Sequence, residues 1–541
     1  MKISKIALFA AGAVALAACS SDAPDVNGNG QQPAAGYVQI DIKLPTVSGS
    51  RGVASSFEEG LAQEYAVSNG KIVVFKKGAD EGAATAVCTA PLSGMSWGAG
   101  QSGEITTSSS SVAQLSNISM GDDTKYCALV VLNYNDNFEF PATGETFQAW
   151  SQRAQENAMI LSADGKEYLT MSNAAKYAQG SQPTVLVDLD KTKIAQTEST
   201  ISASAATVHV QRATAKVTVN TEDSYALKGE SYKNDKVTLT GWALDITNKS
   251  GYPVQVTEGL ATPYVGIWTA DRFSGGTKFP RFFWAKDPNY SISIDNLTQV
   301  AAHFNVIGES QLNSAPAAAY CLENTFDINN MKQGQTTRVV FKGTYVPSGL
   351  TQGESFIKIG GNTTLWSIDG ARAQILAKAK TALNSTDVTV ELGSTVKKAG
   401  YHKLKDVSIK LSGSAITDAQ YDAVAAALGL KDASETGIAT YENGEVYYVS
   451  RIKHFGDEDC PWKIGDITYG DNNETNCAKY LGRYGMVRNF WYEVNVRSIT
   501  ALGEPAVPEI KPEVPDDEND YYIQTQINIL AWAKRVLNIE L

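Results

Sequence analysis

Histidine, clustered basic residues and long apolar runs are what this 541-residue chain has least of. Its four histidines, His209, His303, His402 and His454, stand far apart, and none belongs to an H-E-x-x-H pair. There is no Walker-type phosphate loop, no G-x-S-x-G elbow and no dinucleotide fingerprint. Ser68-Asn69-Gly70-Lys71 fits S-x-x-K, but its companion motifs are missing, so Ser68 is not expected to be a nucleophile. The acidic runs 457–459 and 516–518 lack the spacing and turn glycine of a calcium loop and read as solvated loops. The chain is therefore expected to be no enzyme and to hold no cofactor or metal.

Charge excludes another class. There are 46 basic and 58 acidic residues, a net −12, and no basic block is present. A phosphate backbone needs a clustered Lys/Arg face, so nucleic acid is not an expected partner. After residue 18 no run is long and apolar enough to span a bilayer. Cysteine is sparse too. Setting Cys19 aside leaves Cys88, Cys127, Cys321, Cys460 and Cys477, with no C-x-x-C spacing. Either one pair forms in an oxidising compartment, Cys460 and Cys477 being nearest in sequence, or all five are small buried hydrophobes.

What is present starts at the N-terminus. Lys2 and Lys5 precede an apolar run over residues 6–18, then Cys19. That run is about half of the ~20 residues a spanning helix needs, so it reads as a secretory signal. Leu16-Ala17-Ala18-Cys19 looks like a lipobox, at which a precursor is cut and diacylated on the new N-terminal cysteine. Acyl chains on Cys19 would hold the chain at a membrane surface.

Beyond a polar tether, residues 37–44 alternate: Val38, Ile40, Ile42 and Leu44 fall on one face, with Gln39, Asp41 and Lys43 on the other. Period two predicts a strand with one buried side. Further strands are predicted at 71–75, 126–132, 215–219, 237–246, 337–345, 445–449 and 490–499. Helices are predicted at 148–159, 370–383 and 417–428, the last with a Thr417/Gln420 capping box and Gly429 as its stop. Many short strands between Gly, Ser, Asn and Pro predict a mainly β protein of two sandwich-like domains with a few short inserted helices. The domain boundary is placed near residue 205, in the low-complexity stretch 200–207. This gives an N-terminal domain over 52–205 and a C-terminal one over 206–504.

Two features carry mechanism. Arg51 sits among small residues in Ser48-Gly49-Ser50-Arg51-Gly52, beyond the first strand, as an Arg-specific protease needs for an extended substrate. At the other end, Pro505, Pro508, Pro512 and Pro515 precede residues 521–541, where Ile523, Thr525, Ile527 and Ile529 alternate with polar residues. A strand after a semi-rigid spacer is suited to reaching beyond its own domain. On this reading residues 521–541 stay away from their own sheet; the alternative is a last strand that returns to it, the commoner arrangement in general.

The whole chain resembles the lipoprotein fimbrillins of Bacteroidales type V pili, particularly their minor-fimbrial branch. The points of likeness are the lipobox, the strand before Arg51, Ala128-Leu-Val-Val-Leu-Asn133 and Val210-Gln-Arg-Ala-Thr-Ala-Lys-Val217. Leu322-Glu-Asn-Thr325, Gly485-Met-Val-Arg-Asn489 and the proline-rich C-terminus complete it. The resemblance implies transthyretin-like domains and a lipidated precursor at the outer membrane. It further implies cleavage after Arg51, before Gly52, by an Arg-specific surface protease. Loss of the N-terminal strand then leaves a groove that a strand from another copy, or from another fimbrial subunit, fills. Val38, Ile40, Ile42 and Leu44 would line the removable strand, and Ile523, Thr525, Ile527 and Ile529 the donor. The sequence departs from the pattern in having other exposed-looking arginines, among them Arg153 and Arg212. A surface glycan-binding lipoprotein, or a tip or accessory fimbrial subunit, is the alternative.

Overall fold

The computed structural model describes residues 34–45, 61–95, 98–99, 105–175, 183–260, 284–455, 480–516, 524–531 and 533–540. It is mainly β, as expected. Strands β1 (Ala34–Pro45), β2 (Gly70–Lys76), β3 (Thr85–Pro91), β4 (Ile105–Ile118), β5 (Tyr126–Leu132), β6 (Met171–Asn173) and β7 (Ala206–Arg212) belong to one nine-stranded sheet. Its order is β3-β2-β5-β6-β7-β1-β4, then Gly98–Ala99, with Val187–Leu189 also on β5. Past the end of β3, Ser93 exchanges backbone hydrogen bonds with Val112 of β4, at 2.7 and 2.9 Å. The sheet thus curls on itself around one apolar core, to which β1, β2, β5 and β7 all contribute.

The chain passes to the second domain at Ala213. Strand β7 completes the first sheet and β8 (Thr214–Asn220) opens the second. Two sheets face each other there. One contains β8, β10 (Ala319–Leu322) and β13 (Phe490–Ser498), and the other β9 (Lys236–Asp245), β11 (Arg338–Val346) and β12 (Glu445–Arg451). Alternate side chains meet between them, among them Val217, Tyr492 and Val494 against Val237, Phe341 and Tyr448.

Between β11 and β12 the chain inserts a smaller unit with its own core, built from Ile357, Ile375, Val390, Val424 and Ile438. It carries helices α1 (Ile368–Ala382) and α2 (Asp418–Leu428). The Thr417 hydroxyl accepts from Gln420 N, and Gly429 ends α2 at φ 79°, where a Cβ is disfavoured. The helix expected over 148–159 is confined to Phe147–Ser151. Its apolar Phe147 and Trp150 pack on Phe75, and the chain then turns to pair Gln155–Glu156 with Ser250–Gly251.

Candidate functional site

Strand β1 occupies an interior position of the first sheet, parallel to β7 and antiparallel to β4. Val38, Ile40 and Ile42 are 0% exposed and Leu44 1%, while Tyr37, Gln39, Asp41 and Lys43 are half-buried. The neighbours explain why this strand matters. Val38 faces Ala113, Ile40 faces Ser111 and Ile42 faces Ser109 across β4. All three partners are small and buried, so the volume at this level of the core comes from β1. Burying four such side chains is worth about 1.5–3 kcal/mol each, or roughly 6–12 kcal/mol together. That is comparable to the whole stability of a domain, roughly 5–15 kcal/mol. Empty, the slot would not hold the sheet together.

Entry to the slot is shaped by Gly36. A Cβ there would lie 2.4 Å from Ile194 Cγ2. Beside it, Tyr37 and Ala195 exchange backbone hydrogen bonds at 2.7 and 2.8 Å. At the other end β1 stops at Pro45, and the chain is next described at Leu61. Cys19, Arg51 and Gly52 lie outside the described residues, as do Ile523, Cys460, Cys477 and the acidic run 457–459.

The C-terminal segment is not a free spacer. Glu504 exchanges backbone hydrogen bonds with Tyr447, both 2.9 Å; the Pro508 carbonyl accepts from Arg338 Nη2 at 2.8 Å, and the Val514 carbonyl from Gln333 N at 2.8 Å. Prolines lack an N–H but keep their carbonyls, and the second domain uses these to hold the segment as a strap. Pro512 packs so closely on Gly334 that a Cβ there would meet its Cα at 2.7 Å. Asp516, expected in a solvated loop, is buried, bonded by the Thr336 hydroxyl and near Arg451 Nε at 3.7 Å. Burial pushes its carboxyl up to about 6, against the pull of Arg451 and Thr336.

Past the strap, β14 (Gln524–Ala531) and β15 (Ala533–Glu540) form a hairpin, with β15 parallel to β13. The five-stranded sheet therefore runs β10-β8-β13-β15-β14. The expectation that residues 521–541 remain apart from their own domain is corrected here. The prolines carry the chain past β11 and β12, and the hairpin joins the other sheet of the sandwich. Thr525, Ile527 and Ile529 lie on β14, its outer strand.

The motifs that carried the family resemblance gather at the junction of the two domains. Arg212 Nε donates to Glu64 O at 2.8 Å and its Nη1 to Asn489 Oδ1 at 3.3 Å. Buried Lys216 pairs with Glu64 at 2.6 Å and lies 3.9 Å from the Trp491 ring centroid. The Tyr320 hydroxyl donates to Glu64 at 2.6 Å, and Arg488 pairs with Glu323 at 2.9 Å. Asn133 spans the first domain, donating to Ala66 O and Leu169 O and accepting from Ser68 N. Of these, Glu64, Arg212, Lys216 and Tyr320 make the bonds that cross between the domains. Arg212, expected to be exposed, is 4% exposed and unreachable for a protease, while Arg153 is half-exposed beside Glu139 and Glu145.

Chemistry is not assembled elsewhere among the described residues. Ser68 is tied to Asn133 through its backbone, and Lys71 Nζ lies 4.6 Å from the Tyr134 and Phe140 ring centroids. His402 meets the Lys398 carbonyl at 2.9 Å, and His454 the Tyr492 hydroxyl at 2.8 Å. No group of three or more His, Cys, Asp or Glu among the described residues is placed to hold a metal. No described helix is long and apolar enough to cross a membrane. Cys88, Cys127 and Cys321 are buried free thiols, matching their reading as small hydrophobes.

The architecture defines a β-sandwich protein whose N-terminal strand is a core element and whose C-terminus is an edge hairpin. Residues 439–538, which include β12, β13, the strap and the hairpin, match the family described as major fimbrial subunit protein type IV, fimbrillin, C-terminal. Over that stretch the match agrees with the resemblance to fimbrillins. No curated protein matches the chain. Among solved structures it is similar to a protein named for cell adhesion from Bacteroides eggerthii DSM 20697, at 14% identity and TM-score 0.26, covering 60% of this chain and 79% of that one. Another named for cell adhesion, from Parabacteroides distasonis ATCC 8503, is similar at 10% identity and TM-score 0.31 over 93% and 99%. A fimbrial assembly protein from the same organism is similar at 13% identity and TM-score 0.26 over 61% and 93%. Scores this low carry no functional argument.

Proposed function

We propose that this chain is a polymerising fimbrial subunit, exported as a lipoprotein anchored at the outer membrane through Cys19 and activated by cleavage after Arg51. Cleavage frees β1, and a strand from the C-terminus of another copy takes its place. The observation that carries this reading is the composition of the slot: β1 supplies the bulk of its core level while β4 supplies Ser109, Ser111 and Ala113. Unpaired N–H and C=O groups on β4 and β7 would then be satisfied by an incoming strand, with alternate side chains entering the vacated space. Arg51 lies six residues beyond Pro45, so one cut there separates β1 from the domain it completes.

The test is to incubate purified precursor with a trypsin-like protease and look for filaments by electron microscopy. Filaments should appear with the processed chain and not with an Arg51→Ala precursor; filaments from the uncut variant would overturn the activation step. Anchoring is tested separately. Radioactive fatty acid should label the precursor, and Cys19→Ser should abolish the label. Persistent label would remove the lipid from the account.

A further inference from the structure

Resting on that reading, we infer the register of the incoming strand: residues 522–529 of a second copy replace residues 37–44 one for one. The two segments are an internal likeness of eight residues. Tyr37-Val38-Gln39-Ile40-Asp41-Ile42-Lys43-Leu44 stands against Tyr522-Ile523-Gln524-Thr525-Gln526-Ile527-Asn528-Ile529. The first, third and sixth positions are identical, and the four inward ones pair Val with Ile, Ile with Thr, Ile with Ile and Leu with Ile.

The slot accounts for the two places where the likeness weakens. Thr525 takes the place of Ile40, which faces Ser111; the Ser111 and Ser109 hydroxyls lie 3.2 Å apart in the buried wall. A threonine hydroxyl has partners there, whereas the Val38 row faces Ala113 and offers none. One residue earlier the likeness ends, with Tyr521 against Gly36. A side chain at that position would strike Ile194, so the incoming strand enters no further than Tyr522. A slide by two residues would align Gln526-Ile527-Asn528-Ile529 with Gln39-Ile40-Asp41-Ile42. It would, however, put Ala531 in the place of Leu44 and leave that end of the core underfilled. Strand β14 is also suited to leave its own sheet: among the described residues it is bonded on one side, to β15, and the slot offers two neighbours.

Outward-facing positions report the register. Lys43 faces Ser108 and Asp41 faces Ser110 across β4. Asn528→Cys is therefore combined with Ser108→Cys in one full-length precursor and with Ser110→Cys in another. Each is processed, assembled and mildly oxidised, and cross-links are mapped by mass spectrometry. The inferred register gives an intermolecular 108–528 disulfide and little at 110–528, since opposed residues across a ladder lie within disulfide reach. The reverse result, in chains that still form filaments, overturns the register while leaving strand replacement intact. Filaments that show neither cross-link and retain residues 37–44 overturn both.

Discussion

The two ends of this chain are both strands of alternating pattern, yet the fold treats them differently. Strand β1 lies between two neighbours, with four apolar side chains at 0–1% exposure and small residues across from them. The C-terminal β14 is an outer strand with one described neighbour. An interior strand that supplies core volume cannot be lost without replacement, whereas an edge strand can be withdrawn with its sheet still closed. The contrast makes the first end a plug and the second a reserve.

Deleting residues 34–45 should have the largest effect on stability. It removes roughly 6–12 kcal/mol of apolar burial, so denaturant unfolding should show no cooperative transition for the first domain. A normal transition would mean that the slot does not depend on β1. Next is Lys216→Met, which leaves the Glu64 carboxylate buried without its cation and should cost about 3–5 kcal/mol. Both domains should then loosen at their junction, seen as faster amide exchange around Thr214–Asn220. A loss below about 1 kcal/mol would show that the junction does not rest on this pair.

Gly36→Val tests the slot entrance more gently. The added side chain must displace Ile194, and overpacking of this kind costs about 1–3 kcal/mol. The same change should leave the second domain's transition unmoved. The smallest expected effect belongs to the strap. Its Asp516 carboxyl is held at about 6, above the ordinary value of roughly 3.9. Across about pH 4–6 the folded chain therefore keeps a proton that the unfolded chain has released, and stability falls as pH rises through that window. Asp516→Asn should remove this slope, gaining on the parent as pH rises from 4 to 7. Parallel pH curves for the two proteins would show that Asp516 is not the titrating group.

Strands whose apolar residues alternate or run together are legible from sequence. Those predicted at 126–132, 215–219 and 490–499 coincide closely with Tyr126–Leu132, Thr214–Asn220 and Phe490–Ser498. Two partners of β1 were not legible. Strand β4 reads Ile-Thr-Thr-Ser-Ser-Ser-Ser over 105–111, with no hydrophobic period, because its neighbour supplies the apolar volume. Strand β7 begins in a stretch of small residues that resembles a linker, and it is buried because the sheet continues on both sides. The strap is not legible for a related reason: four prolines signal stiffness, but the hydrogen bonds that Arg338 and Gln333 donate to its carbonyls come from residues about 170–180 positions away. The motif residues at the junction were found by likeness to a family, although each is an ordinary polar residue in the local sequence.

The central claim is that β1 is replaced, and not merely cut. Filaments grown from protease-treated precursor, washed and dissolved in denaturant, can be weighed by mass spectrometry for the released N-terminal fragment. Amide exchange on Ile105–Ile118 and Ala206–Arg212 can be followed in the same preparation. The account predicts filaments without residues 37–44 and with both strands as protected as in the precursor. Filaments that keep the fragment at one copy per subunit would contradict it.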